Sequence, residues 1–236
     1  MALRDDLGSY IQQTIQTRWI VNEGRVVPDT PDIPLVAGAT KLTGTVLYAD
    51  LAESTVLVNS VPPEVAARVY KCFLHCAVKI IIAVGGSITA FDGDRVMAVF
   101  LGDARCSAAA RAALKINHAV IHFINPAFKS AYGQTALSQF QIRHGVGIDD
   151  SELFVARTGI RGANDLVWVG RAANHAAKIC TLRQDEFPTW ITDAVFQRLA
   201  DEVKYGGSPR QLMWQSWTWS KLSPPSVHRS AWTWQV

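Results

Sequence analysis

The order in which apolar runs and helical segments follow one another restricts this chain to few folds. Short runs rich in Val, Ile, Leu and Thr predict strands, and longer alanine-rich or amphipathic segments predict helices. The turn dipeptide Asp92-Gly93 joins two of the strands as a hairpin. The six elements are strand 42–50, helix 62–84, strands 87–91 and 95–101, helix 103–123 and strand 140–149. Their order, β-α-β-β-α-β, predicts an α+β fold with a ferredoxin-like core.

The segments outside this core predict additions at both ends. Helical periodicity over 6–20 is followed by three prolines within residues 28–34, which forbid regular structure. We therefore expect an N-terminal helix and proline-rich linker over 1–40 and one main domain over 41–236. A strand over 153–158 is expected to pair with 140–149. The alternating segments 216–220 and 230–235 predict a closing C-terminal β-hairpin.

Composition excludes several classes of protein. Of the 236 residues, 49% are hydrophobic and 18% are charged, which is typical of a globular chain. The apolar stretches are too short to cross a membrane, and the N-terminus lacks the apolar core of a secretory signal. Four cysteines without an export signal predict reduced thiols in the cytoplasm. A net charge of +3 without a block of like charges does not indicate a nucleic-acid partner.

Two aspartates stand at the ends of predicted strands. Asp50 ends the first strand, and Asp94 lies at the tip of the hairpin. In a ferredoxin-like core these strands are neighbours, so the two carboxylates can meet at one end of the sheet. With a backbone carbonyl such as that of Leu51, they suit Mg²⁺ or Mn²⁺ bound together with the phosphates of a substrate. Taken alone, an aspartate in such a turn is more often only a turn residue.

Two further segments carry groups that suit phosphate chemistry. The run after Asp50 leads into a helix, where backbone N–H groups can face phosphate oxygens. Thr55 in this run is expected to contact phosphate, to cap the helix, or both. Asn174 and Lys178 are four residues apart on a predicted helix and share one face. They can orient a ribose and stabilise charge on phosphorus, although such a pair is also typical of a solvated helix face.

The segments VLYADLAEST, FDGDRVMAVF, HGVGIDD and VGRAANHAAKI, in this order and spacing, resemble the catalytic domain of the class III nucleotidyl cyclases. The resemblance covers about residues 41–200. It implies an antiparallel, head-to-tail homodimer with composite active sites. It also implies that Asp50 and Asp94 bind two divalent ions, Mg²⁺ or Mn²⁺, with a carbonyl oxygen from Leu51. In this arrangement Asn174 and Lys178 come from the other protomer.

One position departs from the family pattern. Asn174 matches the asparagine that orients the ribose, but Lys178 stands where the family usually has an arginine that steadies the transition state. Lysine keeps the positive charge and loses the planar, bidentate fork. Either Lys178 suffices, or a second cation such as Arg171 or Arg95 contributes.

The positions that read the base are unusual. The two polar base readers of purine cyclases correspond to Ala90 and Val167, and both are apolar. Tyr48 replaces the usual phenylalanine, and together with Trp168 it is expected to narrow the base pocket. An offset of one residue would turn a strand's side chains to the other face, so the readers could also lie elsewhere.

This replacement pattern resembles the pyrimidine cyclases of bacterial Pycsar antiphage systems. The resemblance implies conversion of UTP to 3′,5′-cyclic UMP and pyrophosphate, and a separate effector protein that the product activates. A cytidylate cyclase is the second choice, followed by an adenylate or guanylate cyclase. A third interpretation is that the chain is not an enzyme but a degenerate module that binds nucleotide without turnover. The intact Asp50, Asp94 and Asn174 count against it.

Overall fold

The computed structural model describes residues 2–133, 141–182 and 186–236. The chain divides into two compact units, of which the smaller holds residues 1–43 and 152–170 and the larger holds 44–151 and 171–236. The expected division after residue 40 stays a prediction. No helix within the described ranges is long and apolar enough to cross a membrane.

The elements are numbered here in chain order. The helices are α1 Leu3–Gln16, α2 Ser54–Ser60, α3 Pro63–Ala83, α4 Arg105–Ala119, α5 Asn125–Tyr132, α6 Arg171–Ile179, α7 Asp193–Gln197 and α8 Asp201–Lys204. The strands are β1 Ile20–Glu23, β2 Gly38–Leu51, β3 Ser87–Asp92, β4 Arg95–Phe100, β5 His144–Ile160, β6 Ala163–Val169, β7 Thr189–Thr192, β8 Tyr205–Gly206, β9 Gln211–Leu212, β10 Gln215–Thr218 and β11 Ser226–Ser230.

One sheet organises the larger unit, with the strand order β10-β11-β7-β5-β2-β4-β3. Within it, β5-β2-β4-β3 is the strand order of a ferredoxin-like core, and β2, β4 and β3 pair antiparallel. Alternate residues of β2 and β4, among them Leu47, Ala49 and Val96, pack with α3 and α4 in the main core. The predicted α+β fold is therefore confirmed, and the other face of these strands carries Tyr48 and Asp50.

The β3–β4 hairpin forms where the sequence predicts it. Its two-residue loop is Gly93-Asp94, and Gly93 has φ 61°, as the first position of a type II′ turn requires. The turn therefore holds Asp94 directly before the first residue of β4.

The expected pairing of 140–149 with 153–158 is wrong, because 144–149 and 153–158 belong to the single long strand β5. Residue 140 lies outside the described residues. Asp149 and Asp150 lie within this strand, and both side chains are buried. Asp150 accepts hydrogen bonds from the Arg105 guanidinium at 2.6 Å and from the Thr45 hydroxyl at 2.7 Å. Because these donors satisfy the carboxylate, the strand continues through it.

The second long helix does not end before Asn125-Pro126 as expected. After α4, residues Val120–Ile124 form a turn of π-helix, and α5 begins at Asn125. The Asn125 N–H donates to the Val120 carbonyl across this wider turn. Pro126 then falls in the first turn of a new helix, where its missing N–H costs nothing.

The predicted C-terminal hairpin forms with a different second strand. β10 pairs with β11, whereas residues 231–236 form no strand. The Asn117 side chain of α4 donates to the carbonyls of Ala231 and Trp232, at 3.1 and 3.0 Å. The last residues are therefore bound to a helix, and β11 instead pairs with β7.

The smaller unit contains two strand pairings of its own. β1 runs parallel to the first residues of β2, and β6 pairs antiparallel with the second part of β5. Trp19 packs edge-on against Phe154, with ring centroids 5.5 Å apart.

Candidate active site

Antiparallel pairing brings the two predicted metal-binding aspartates to the same end of neighbouring strands. Asp50 near the end of β2 lies opposite Arg95, the first residue of β4. Asp94 directly precedes Arg95 in the hairpin loop. The two residues therefore lie at the same end of neighbouring strands, and the meeting of their carboxylates stays a prediction.

The surroundings of the Asp94 carboxylate fit a role as a metal ligand. Its Oδ2 atom is buried and has no hydrogen-bond partner among the described residues. A buried carboxylate oxygen without a donor costs free energy, and a hard divalent cation is one group that satisfies it. No group of three or more His, Cys, Asp or Glu that could hold a metal occurs among the described residues. Asp50 and Asp94, with the backbone carbonyl of Leu51, stay the donors predicted for such an ion.

The strand register places the predicted base-contacting residues of the larger unit on the same sheet face as Asp50. Tyr48 is two residues before Asp50 on β2, and both Tyr48 and Ala90 lie opposite Met97. A β-bulge between Ile88 and Ala90 shifts the alternation of β3 by one residue. This irregularity decides which β3 side chains share the face, and the sequence alone does not reveal it.

Tyr48 and Arg95 lie on this sheet face, both close to Asp50 in the strand register. The Arg95 guanidinium lies 5.5 Å from the centre of the Tyr48 ring and makes a 2.8 Å ion pair with Asp92. Burial raises the pKa of the Tyr48 hydroxyl, so the hydroxyl stays protonated and can donate a hydrogen bond.

The segment after Asp50 is held by its backbone and by one ion pair. The Ala52 N–H donates to the Arg143 carbonyl at 2.8 Å, and the Arg143 guanidinium lies 2.7 Å from the Glu53 carboxylate. Glu53 occupies the N-cap of α2 with φ 58°, in the left-handed region. Thr55 is exposed in the first turn of α2, so the alternative that Thr55 caps this helix is wrong. Its contact with phosphate stays a prediction.

Two glycines of β5 position the helix that carries Asn174 and Lys178. A Cβ added to Gly145 or Gly147 would lie 2.1 Å or 2.2 Å from a backbone carbonyl oxygen at the C-terminal end of α6. The helix backbone therefore rests directly on the strand, and its buried face consists of Ala172, Ala173, Ala176 and Ile179. The two glycines of the motif HGVGIDD therefore allow this close packing, which a larger residue would prevent.

Asn174 and Lys178 lie on the exposed side of α6, as their spacing predicts. Neither side chain makes a hydrogen bond or an ion pair with another described residue. The helix therefore presents an amide and an ammonium group that the described part of the fold does not use.

A buried carboxylate anchors the start of α6, and the sequence analysis did not identify it. Asp149 accepts a hydrogen bond from the Thr192 hydroxyl and lies 3.2 Å from both Arg171 Nε and His175 Nδ1. Burial raises the pKa of Asp149 and lowers the pKa of His175. The acidic pair inside an apolar strand was the available signal.

Arg171 takes part in this anchor. It donates to the Asp150 carbonyl at 2.6 Å in addition to its contact with Asp149. Its guanidinium is therefore bound at the start of the helix, whereas Lys178 is exposed near its end. Whether Lys178 suffices or a second cation contributes stays a prediction.

Val167 and Trp168, the remaining predicted base contacts, lie on β6 in the smaller unit, opposite Ala156 and Val155. Val167 is 39% exposed and Trp168 is 9% exposed, so the two side chains alternate across the strand. Their predicted roles, and those of the other proposed site residues, stay predictions.

Solved structures share the fold of this protein. A bacterial light-regulated adenylyl cyclase superposes with a TM-score of 0.68 at 19% identity, over 85% of this chain and 55% of that longer chain. The guanylyl cyclase Cya2 superposes with a TM-score of 0.65 at 18% identity, over 80% of this chain and 91% of that one. At such identities the likeness concerns the fold, which is that of class III nucleotide cyclase domains.

Sequence relatives place the chain within that class. No protein-family model matches it. A uridylate cyclase of Xanthomonas perforans is 44% identical over 237 residues, and one of Burkholderia cepacia is 47% identical over 238 residues. Both matches cover 100% of this chain and 100% of the relative. The chain therefore belongs to the uridylate cyclase family.

Proposed function

We propose that this protein is a pyrimidine nucleotide cyclase that converts UTP to 3′,5′-cyclic UMP and pyrophosphate. The observation that carries the proposal is the identity of 44% and 47%, over full length, to two proteins named uridylate cyclase. The juxtaposed Asp50 and Asp94 support a cyclase that retains its metal ligands.

In the proposed reaction, the ribose 3′-oxygen attacks the α-phosphorus of the same nucleotide. One P–O bond forms, the bond to the β-phosphate oxygen breaks, and pyrophosphate leaves while the 3′-hydroxyl loses its proton. Asp50 and Asp94, with the Leu51 carbonyl, would hold two divalent ions, Mg²⁺ or Mn²⁺. When bound, such ions favour ionisation of the hydroxyl and neutralise charge on the phosphates.

The protein's own side chains then position the substrate. Asn174 would hold the ribose through its amide, and Lys178 would donate to the oxygens of the α-phosphate as negative charge develops there. Thr55 would contact the phosphate chain from the first turn of α2. Because Arg171 is bound to Asp149, Lys178 is the cation assigned to the transition state.

We propose that the active site forms between two copies of this chain in a head-to-tail homodimer. The exposed side chains of Asn174 and Lys178, unused by other described residues, support this arrangement. Asp50 and Asp94 would come from one protomer and Asn174 and Lys178 from its partner. A symmetric dimer of this kind contains two such sites.

The proposed preference for a pyrimidine rests on the sheet face that carries Tyr48 and Ala90. Ala90 has no hydrogen-bonding side chain, and the protonated Tyr48 hydroxyl, two strands away on the same face, can donate to a base carbonyl. Val167 and Trp168 are proposed as further contacts to the base. Cytosine differs from uracil at one edge, so CTP is the alternative that the substrate test must separate.

The direct test offers each nucleoside triphosphate separately to the purified chain. ATP, GTP, CTP and UTP are incubated with Mg²⁺ or Mn²⁺, and products are identified by mass spectrometry beside an Asp94→Ala variant. Cyclic UMP that is absent with the variant supports the proposal. Cyclic CMP in its place would change the base, and cyclic AMP or GMP would overturn the pyrimidine assignment. No product from any triphosphate would favour a binding module.

We further propose that the cyclic product is a second messenger of antiphage defence that activates a separate effector protein. The support is the resemblance of the motifs to those of the Pycsar pyrimidine cyclases. Bacteria that carry the gene with its neighbouring genes should resist phage, and the same cells with Asp94→Ala should not. Equal plating of phage on both strains would contradict the proposal.

A further inference from the structure

A cavity of about 580 Å³ opens in the larger unit beside the segment that follows Asp50. Ala52 and Glu53 of that segment line it, together with Ile121 of the π-helical turn and with Arg143 and His144. None of the side chains proposed for the cyclase reaction is among the described residues that line it, and the run after Asp50 contributes only Ala52 and Glu53. Its volume is that of an ordinary small-molecule site.

His144 contributes a neutral imidazole to this lining. The side chain is 5% exposed, and its Nε2 atom is buried without a hydrogen-bond partner among the described residues. Burial lowers the pKa of His144 to about 4, so the ring is neutral near pH 7. The imidazole therefore adds no positive charge to the cavity wall.

The remaining lining restricts the chemistry of a ligand. Val120, Ile121 and Phe187 provide apolar walls. Among the described residues of the lining, the charged groups are Arg143, Glu53 and Glu186, so this part of the lining carries a net charge of −1 while His144 is neutral. Such a site favours a neutral or cationic molecule with an apolar body and disfavours an anion such as a nucleotide.

Arg143 joins the cavity to the segment that carries the proposed metal ligands. Its carbonyl accepts the Ala52 N–H at 2.8 Å, and its guanidinium pairs with Glu53 at 2.7 Å. Ala52 is two residues from Asp50 in the chain. A ligand that competes for Arg143 or Glu53 would therefore change the constraint on the segment after Asp50.

We propose that this cavity is a binding site for a neutral or cationic aromatic amine, and that its occupant alters cyclase activity through Arg143 and Glu53. The proposal that a ligand binds here rests on the cavity alone. The effect on activity rests on the proposed function.

Binding is tested on the full chain with three matched probes: tryptamine, indole and indole-3-acetate. Tryptamine and indole should raise the thermal midpoint saturably, and calorimetry should show indole-3-acetate binding at least tenfold more weakly than tryptamine. Ile121→Trp, which fills the cavity from an exposed position, should abolish these effects. Phe123→Trp is the control, since Phe123 is exposed on the same turn and does not line the cavity.

Two results would overturn the binding site: no probe shifts the midpoint of the wild type, or Ile121→Trp binds tryptamine as tightly as Phe123→Trp does. Coupling is tested by cyclic nucleotide formation with and without tryptamine. A twofold or larger change in rate in the wild type and in Phe123→Trp, absent from Ile121→Trp, supports it. An active enzyme that binds tryptamine without a change in rate overturns the coupling.

A chain that binds tryptamine and makes no cyclic nucleotide refutes the proposed function and leaves the binding site standing.

Discussion

Asp50 lies opposite Arg95 in the register of β2 and β4, and Asp94 is the residue directly before Arg95. The two carboxylates are therefore placed by one strand pair and one two-residue turn. Strands and tight turns hold side chains more rigidly than long loops do, which suits a site that must keep two charges close.

Asp94→Asn is expected to reduce cyclase activity at least about a hundredfold, because an amide is a poor ligand for a hard divalent ion. Its free energy of unfolding should stay the same or rise, since the Oδ2 atom has no hydrogen-bond partner among the described residues. Product formation and denaturant unfolding are the measurements. Asp92→Asn is the matched control, because Asp92 is in the same hairpin and is paired with Arg95 at the surface. A variant at residue 94 that loses stability and keeps activity would show that Asp94 is only a turn residue.

Gly147→Ala is expected to displace α6, because the added Cβ would lie 2.2 Å from the Ala176 carbonyl oxygen. The free energy of unfolding should fall by about 1–3 kcal/mol. If Asn174 and Lys178 move by about 1 Å, turnover should fall roughly a hundredfold. Gly8→Ala serves as the control, since a Cβ at Gly8 meets nothing within 4 Å. Equal stability and turnover in both variants would contradict the close packing of α6 on β5.

Mixing two inactive variants tests the composite site. Asp50→Ala and Lys178→Ala should each be inactive, because each homodimer lacks a group in both sites. After subunit exchange at equal concentrations, half of the dimers are mixed and one of their two sites is complete. The mixture should therefore regain about a quarter of wild-type activity. Asp50→Ala mixed with Asp94→Ala is the control that should stay inactive, and activity in that control would refute the arrangement.

Glu53→Gly should be more stable than Glu53→Ala by about 1 kcal/mol, because residue 53 has φ 58° and only glycine adopts that conformation without cost. Both variants lose the ion pair with Arg143, so the comparison isolates the backbone effect. Chemical denaturation of the two proteins measures it. If the Glu53→Ala and Glu53→Gly variants unfold at the same denaturant midpoint, the left-handed conformation of residue 53 is not formed in solution.

The buried His144 predicts a stability that falls in mild acid. The unfolded ring takes up a proton near pH 6.5, whereas the folded ring does so at about pH 4. Between these values the unfolded state binds more protons, so the free energy of unfolding decreases as the pH falls. The contribution present above pH 6.5 and lost by pH 4 is about 3 kcal/mol. Unfolding of the wild type and His144→Gln should be compared from pH 7 to 4. Parallel pH profiles would contradict the prediction.

The elements that could be predicted from sequence are those specified by neighbouring residues. The Asp92-Gly93 turn signal predicted the β3–β4 hairpin, and helical periodicity with a glycine after it predicted α3. The same reasoning predicted that Asp50 and Asp94 lie at the same end of neighbouring strands and that Asn174 and Lys178 share an exposed helix face. Turn preferences and periodicity act over a few residues, so one sequence is enough to recognise them.

Other features depend on residues that are distant in the chain. β5 continues through Asp149 and Asp150 because arginines and hydroxyls from other elements surround these carboxylates. The last residues leave the sheet because Asn117 binds their carbonyls. Local sequence thus determined the elements and the residues that carry the chemistry. Tertiary structure alone decided where each buried polar group finds its partner, because the free energy of burying a charge depends on neighbours that only the folded chain brings together.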